Sequence, residues 1–269
     1  MASTVAQKFR ICANLDFMFQ EHASLVSRYS EAARLGFKGV ETAVPYLVPA
    51  EELLTTLKRT GLTQVLINTP VGDVSLGEVG FASLPGKENA FLEGIQTAIS
   101  YATTLQCKLI HIMAGLVTAH PLELHEKTYV QNLQRAVPLL EKAGIVAVIE
   151  PINQHSVPNY FLSDYDKAIS VIENLKTENF GLLLDLFHLQ QIKGNVTRNI
   201  KKYLPYTKHV QIAQVPERHE PNSFGELNYS YIFHHLNECN YSNWVGLEYR
   251  PANATEDGLK WVDECGVRF

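Results

Sequence analysis

The chain has 269 residues, 46 % of them apolar and 19 % charged, with a net charge of −5. That is enough chain for one large domain with a substantial core. The acidic balance argues against a nucleic-acid partner, which needs a basic face.

Residues 9–15 read as a first strand, and helical spacing follows over about 22–35. Gly36 ends that helix, and 39–44 form a second strand. Residues 49–60 are helical, with Pro49 near the start and Gly61 at the end. A third strand covers 65–68. The stretch 69–89 is rich in Pro, Gly and Ser and long for a connection, which marks a functional loop. Helix 91–105 leads to strand 108–113, and helix 124–143 ends at Gly144. Strand 145–149 reaches Glu150. Helix 163–175 opens on Ser163 as its N-cap, and strand 181–185 ends in Asp185. A helix near 196–203, strand 209–213, helix 229–237, strand 244–248 and a last helix over about 255–264 complete the chain. Eight strands alternating with about eight helices imply a parallel sheet. The repeat number favours closure, so the expected fold class is α/β: a single (β/α)8 TIM barrel, eight-stranded and parallel, over residues 1–269.

Ile145-Val146-Ala147-Val148-Ile149-Glu150 is an unbroken apolar run that stops at a carboxylate. Such a run reads as a strand covered on both faces. The pattern returns at Asp185, Gln211 and Glu248, at intervals of 35, 26 and 37 residues. One strand-helix unit of such a barrel takes roughly 30 residues, so four successive units would bring Glu150, Asp185, Gln211 and Glu248 to one mouth. Carboxylates that close need a cation or a shared proton. An all-oxygen set, with Gln211 using its carbonyl oxygen, suits a hard divalent ion, Mg²⁺ or Mn²⁺; zinc more often takes His or Cys. The plainer alternative is four unrelated strand-end residues bonded to loop amides. No Gly-x-Gly-x-x-Gly follows the first strand, and no phosphate-binding Gly-Lys loop is present, so no nucleotide cofactor is expected.

The cysteines Cys12, Cys107, Cys239 and Cys265 form no Cys-x-x-Cys pair, as expected for reduced thiols in an intracellular chain. Residues 1–8 carry no apolar signal core, and no run is long enough to span a bilayer. A cytoplasmic protein without a membrane partner is the expectation.

Several motifs closely resemble the hydroxypyruvate isomerase family, part of the wider xylose-isomerase-like barrel set. They are Asn68-Thr69-Pro70-Val71-Gly72-Asp73, Met113-Ala114-Gly115-Leu116, Ile149-Glu150-Pro151-Ile152-Asn153, Asp185-Leu186-Phe187-His188 and His209-Val210-Gln211-Ile212-Ala213. Pro216-Glu217-Arg218-His219-Glu220-Pro221, Gly225-Glu226-Leu227-Asn228-Tyr229 and Glu248-Tyr249-Arg250-Pro251 extend the resemblance nearly end to end. It implies that Glu150, Asp185, Gln211 and Glu248 hold the metal, and that Glu150 and Glu248 are the two acid/base carboxylates. It implies that His188 and Arg218 hold substrate oxygens, Arg218 meeting a carboxylate as guanidinium does, in a fork. The implied reaction takes hydroxypyruvate to 2-hydroxy-3-oxopropanoate (tartronate semialdehyde) by metal-assisted proton transfer through an enediolate. Bacterial relatives have Asp where Gln214 stands and Gly where Glu217 stands, and the loop after Pro221 is one residue longer here, near Ser223-Phe224. These departures bear on substrate preference.

The partner is thus a small 2-oxo acid or ketose, with a homo-oligomer left open. An epimerase of ketoses or sugar acids would use the same two glutamates. A DNA-repair endonuclease on a related barrel would need zinc-binding histidines and a basic groove. A non-catalytic barrel would have no reason to keep all four site residues. Glu41 and Asn68, at the ends of the second and third strands, could line the mouth or bond the backbone, and His111 could be a ligand or a satisfied core histidine. Glu226 reads as a loop cap, and Tyr229, Tyr231 and Phe233 as a packed helix face.

Overall fold

The structure, a computed structural model, describes residues 7–269; the reading of residues 1–6 as lacking a signal core lies outside them. Eight strands close into a parallel barrel in sequence order, as the alternation predicts. They are β1 Arg10–Asn14, β2 Gly39–Thr42, β3 Thr63–Asn68, β4 Leu109–His111, β5 Val146–Ile149, β6 Phe180–Asp185, β7 Thr207–Ile212 and β8 Trp244–Leu247. The helices are α1 Leu25–Arg34, α2 Ala50–Thr60, α3 Glu88–Leu105, α4 Leu122–Ala143, α5 Tyr165–Leu175, α6 Leu186–Ile192, α7 Val196–Tyr203, α8 Tyr229–Glu238, α9 Thr255–Gly258 and α10 Trp261–Glu264. All six residues of β6 are buried, which explains its near-continuous apolar run; all four of β2 are buried too, the polar Glu41 and Thr42 included. Gly36, Gly61 and Gly144 all take positive φ just past helix ends, the conformation that glycine adopts at no steric cost. No helix among the described residues is long and apolar enough to cross a membrane.

Two compact units divide the chain. The first takes residues up to Glu41, then Thr56–Thr63 and Leu184–Phe269. Within it β1 lies between β2 and β8, with Asn14 beside Glu41 and Cys12 beside Gly246, while Gln211 of β7 also pairs with Gly246. The carboxy-terminal side chains pack behind these strands: Trp261 stacks on Phe233 at 5.9 Å and donates Nε1–H to the Tyr249 hydroxyl at 3.1 Å.

The second unit takes Thr42–Thr55 and Gln64–Leu183. Here β3, β4 and β5 run in register, Asn68 beside His111 and His111 beside Val148. The stretch 69–89 is tied down rather than loose. Gly80 bridges Ala114, His125 Nδ1 meets the Ser83 carbonyl at 2.7 Å, and Asn132 donates to the Ala82 carbonyl at 2.9 Å. Gly80, at φ 111°, is required there, because a Cβ would lie 2.5 Å from the Met113 carbonyl oxygen.

Element ends shift by up to three residues from the sequence expectations, and three features differ in kind. The cap of α5 is Asp164, which accepts from the Lys167 amide at 2.8 Å, and not Ser163. The last helix breaks into α9 and α10. Helix α6 was not anticipated: Asp185 both ends β6 and caps α6, so strand and helix abut with no loop residue to announce the change.

Candidate active site

In the first unit the site is built around a fully buried carboxylate, Glu41, at the end of β2. It accepts from Asn14 Nδ2 at 2.9 Å, Gln211 Nε2 at 2.7 Å and His209 Nε2 at 2.6 Å. A backbone-bonding role is therefore not what the structure gives it. Burial works against ionisation of Glu41, but the charge of His209 and the three side-chain donors outweigh that and hold the carboxyl below its ordinary value. His209 was missed in the sequence. The signal was present: it stands two residues before Gln211 on one strand, so the two side chains share a face.

Glu248 follows β8, and its Oε1 accepts from Asn14 Nδ2 at 3.2 Å. Its Oε2 meets Arg218 Nη2, which also reaches Asp185 Oδ2 at 3.3 Å, while Arg218 Nε donates to the Glu248 carbonyl at 3.3 Å. The guanidinium lies 4.6 Å from the ring centroids of both Phe17 and Phe187, an arrangement in which charge and ring quadrupole attract. Arg218 holds φ 58°, an uncommon value for a side-chain-bearing residue and one that tends to mark function.

Asp185 is fully buried and spends one oxygen on its own helix: Oδ1 accepts from the Phe187 amide at 2.8 Å. Its Oδ2 faces Arg218 and, at 3.5 Å, His188 Nε2. Burial pushes the Asp185 carboxyl up to about 6, against the pull of Arg218 and the Phe187 amide. Burial pushes Glu248 further, to about 8; Arg218 opposes the rise and Asp185 adds to it. One guanidinium between two carboxylates offsets only part of their desolvation.

The side-chain oxygen of Gln211 is buried and has no hydrogen-bond partner among the described residues. An orphaned buried acceptor is costly, and a hard cation would satisfy it. Asp185, Gln211 and Glu248 each offer a side-chain oxygen in this unit, the kind of donor that a hard divalent cation takes.

The loop that carries Arg218 is organised by Gln214. Its amide nitrogen donates to the carbonyls of Pro221, Ser223 and Leu227, and its oxygen accepts from the Val215 and Leu227 amides. Glu217 and Phe224 are exposed on that loop. Glu226 accepts from Gln190 at 2.9 Å on the surface, and the cap of α8 is Asn228. Tyr229 and Phe233 are buried as expected of a packed face, while Tyr231 is half exposed.

The second unit presents Glu150 directly after β5. It is buried, with its Oε2 3.6 Å from Nδ1 of His111, itself buried on β4. His111 thus faces a carboxylate rather than an apolar core. The Tyr160 hydroxyl accepts from the Ala114 amide at 2.9 Å, and burial chiefly, with Glu150 adding, pushes that phenol upward.

Asp185 has two separable tasks, and substitution should part them. Asp185→Asn keeps an oxygen for the Phe187 amide and loses the charge. Asp185→Ala loses both and should cost a further 0.5–2 kcal/mol or so, the usual range for a lost N-cap. Chemical denaturation of the two variants measures the gap, and equal stability would remove capping from the role of Asp185.

The model of the xylose isomerase-like TIM barrel family matches residues 29–265. A Danio rerio protein named "Putative hydroxypyruvate isomerase" is 44 % identical over 259 residues, covering 94 % of each chain. The 2-oxo-tetronate isomerase of Cupriavidus necator is 40 % identical over 254 residues, covering 94 % of this chain and 97 % of its own. A crystal structure described as an AP endonuclease, family 2, from Brucella melitensis superposes with a TM-score of 0.91 at 39 % identity, covering 95 % of this chain and 98 % of that one.

Proposed function

We propose a hydroxypyruvate isomerase, on the premise that the chain belongs to the xylose isomerase-like TIM barrel family and is an isomerase. The observation that carries the reading is the acid pair Asp185 and Glu248, held around one guanidinium where β6 and β8 end. Glu150 at the end of β5 completes the set, because a closed parallel barrel presents its catalytic groups at the carboxyl ends of its strands.

In this reading Glu150, Asp185, Gln211 and Glu248 hold a divalent ion, Mg²⁺ or Mn²⁺. When bound, the ion supplies Lewis-acid stabilisation of negative charge on neighbouring oxygens. One of Glu150 and Glu248 removes a proton from C3 of hydroxypyruvate, giving the enediolate, and one of them returns a proton to C2. The hydroxyl proton passes from the C3 oxygen to the C2 oxygen, which leaves an aldehyde at C3. Arg218 meets the substrate carboxylate. Its planar fork of five donors can bridge the acid pair and a further carboxylate together. His188, anchored beside Asp185, holds a substrate oxygen. The nuclease reading is disfavoured by the net charge of −5 and by an oxygen-rich ligand set.

A second reading, a longer 2-oxo acid or a ketose as substrate, is favoured by the space beside Arg218. Phe17, which stacks on that guanidinium, and Arg250 line a cavity of about 530 Å³ together with Asp16 and Gln20. That is more room than a three-carbon acid fills, and a four-carbon acid is what the Cupriavidus relative is named for.

Proton NMR of the purified protein with hydroxypyruvate in D₂O, with Mg²⁺ or Mn²⁺ and again with chelator, tests the proposal. Metal-dependent formation of tartronate semialdehyde carrying solvent deuterium at C2 is expected. No turnover of hydroxypyruvate, with turnover of a four-carbon 2-oxo acid or a ketose, would replace the first reading by the second.

A further inference from the structure

We infer that Glu41 is a positioning residue for the divalent ion: it fixes the side-chain amide of Gln211 so that the oxygen, not the nitrogen, is left for the cation. The inference rests on the reading that Gln211 belongs to a metal set, and adds a residue that touches neither metal nor substrate.

An ionised carboxylate accepts hydrogen bonds and donates none. Glu41 is fully buried and presents one oxygen to Gln211 at 2.7 Å, so Gln211 must offer its NH₂ group there. A flipped amide would set its oxygen against that carboxylate and forfeit the bond. The other end of the amide, the Gln211 oxygen, is buried without a partner among the described residues. Among the described residues the Gln211 side chain makes no other hydrogen bond.

Glu41 is itself over-determined. His209 Nε2 meets Oε2 at 2.6 Å, and Asn14 Nδ2 donates to Oε1 at 2.9 Å. The backbone makes room for it: a Cβ on Gly246 would lie 2.5 Å from each Glu41 oxygen, and an interior strand glycine often marks such an approach. Asn14 passes the constraint on, since its Nδ2 also reaches Glu248 Oε1 at 3.2 Å. One buried carboxylate thereby orients one proposed ligand directly and a second through an asparagine. A core ion pair with no such task would need only His209.

The test is Mn²⁺ binding, followed by titration calorimetry and by the electron spin resonance of the free ion, with folding checked by near-ultraviolet circular dichroism. Glu41→Gln should weaken Mn²⁺ binding about 10- to 100-fold, the usual effect of losing a group that orients a ligand. Gln211→Glu should weaken it too, because a carboxylate at 211 cannot donate to Glu41 and is repelled by it, although carboxylate is intrinsically the stronger ligand. The double variant Glu41→Gln with Gln211→Glu restores the donor and acceptor in exchanged places and leaves an oxygen for the ion. It should bind Mn²⁺ more tightly than Gln211→Glu alone. That comparison stands even where Glu41→Gln alone does not fold. A folded double variant that binds no better than Gln211→Glu, or a Glu41→Gln variant with wild-type affinity, overturns the inference. Absence of Mn²⁺ binding by the wild-type protein would instead remove the metal reading on which it rests.

Discussion

Glutamine in place of Glu150 or of Glu248 should each lower turnover of hydroxypyruvate by about 10²- to 10⁴-fold, the range that a positioned acid or base contributes. The change keeps size and hydrogen-bonding reach and removes the titrating proton, so the loss belongs to chemistry if the variant still folds. For Glu248 folding can be argued. Its carboxyl is pushed by burial from 4.5 up to about 8, even with Arg218 beside it. In chelated protein the folded state therefore keeps a proton that the unfolded chain releases above about 4.5. Stability from this group is fully present below the ordinary carboxylate range and is lost as pH climbs through about 8. Glutamine does not titrate, so the stability of wild type relative to Glu248→Gln should fall across that window. Denaturation of the two proteins at a series of pH values with chelator present measures it. Parallel curves would refute the burial argument, and near-native turnover in either variant would end the two-carboxylate mechanism.

The barrel, and the carboxylates that stand at its strand ends, were legible in the sequence for the same reason. A strand covered on both faces must be apolar throughout, so a carboxylate at its end stands out, and Glu150, Asp185 and Glu248 stand out in this way. Partners contributed from other strands were not legible, because sequence spacing carries no record of which side chains meet across a barrel. Glu41 shows this best: nothing in Gly39-Val40-Glu41-Thr42 announces that its carboxylate takes donors from β1 and twice from β7. Helix α6 was hidden because Asp185 does two things at once, and the strand reading used up the signal that a cap would have given. Gln214 was visible only as a departure from a family pattern. In the structure its five side-chain hydrogen bonds hold the Arg218 loop.

Two substitutions at Arg218 should separate its charge from its shape. Arg218→Met removes the charge shared by Asp185 and Glu248. Because Arg218 pulls both carboxyls down, its loss should raise both further, so a base drawn from this pair needs a higher pH to ionise and the acid limb of the kcat/KM profile moves upward. Arg218→Lys keeps the charge but loses what the guanidinium does here. An ammonium has no flat face to set against Phe17 and Phe187, and cannot serve both carboxylates from one nitrogen while a second donates to the Glu248 carbonyl. Lysine should therefore keep the acid limb near its wild-type position and still lose about 10²-fold in kcat/KM, the scale of loss when a reacting group is misplaced by an ångström. A lysine variant with wild-type kcat/KM would reduce Arg218 to a point charge. A methionine variant with an unmoved acid limb would show that the acid pair titrates independently of Arg218.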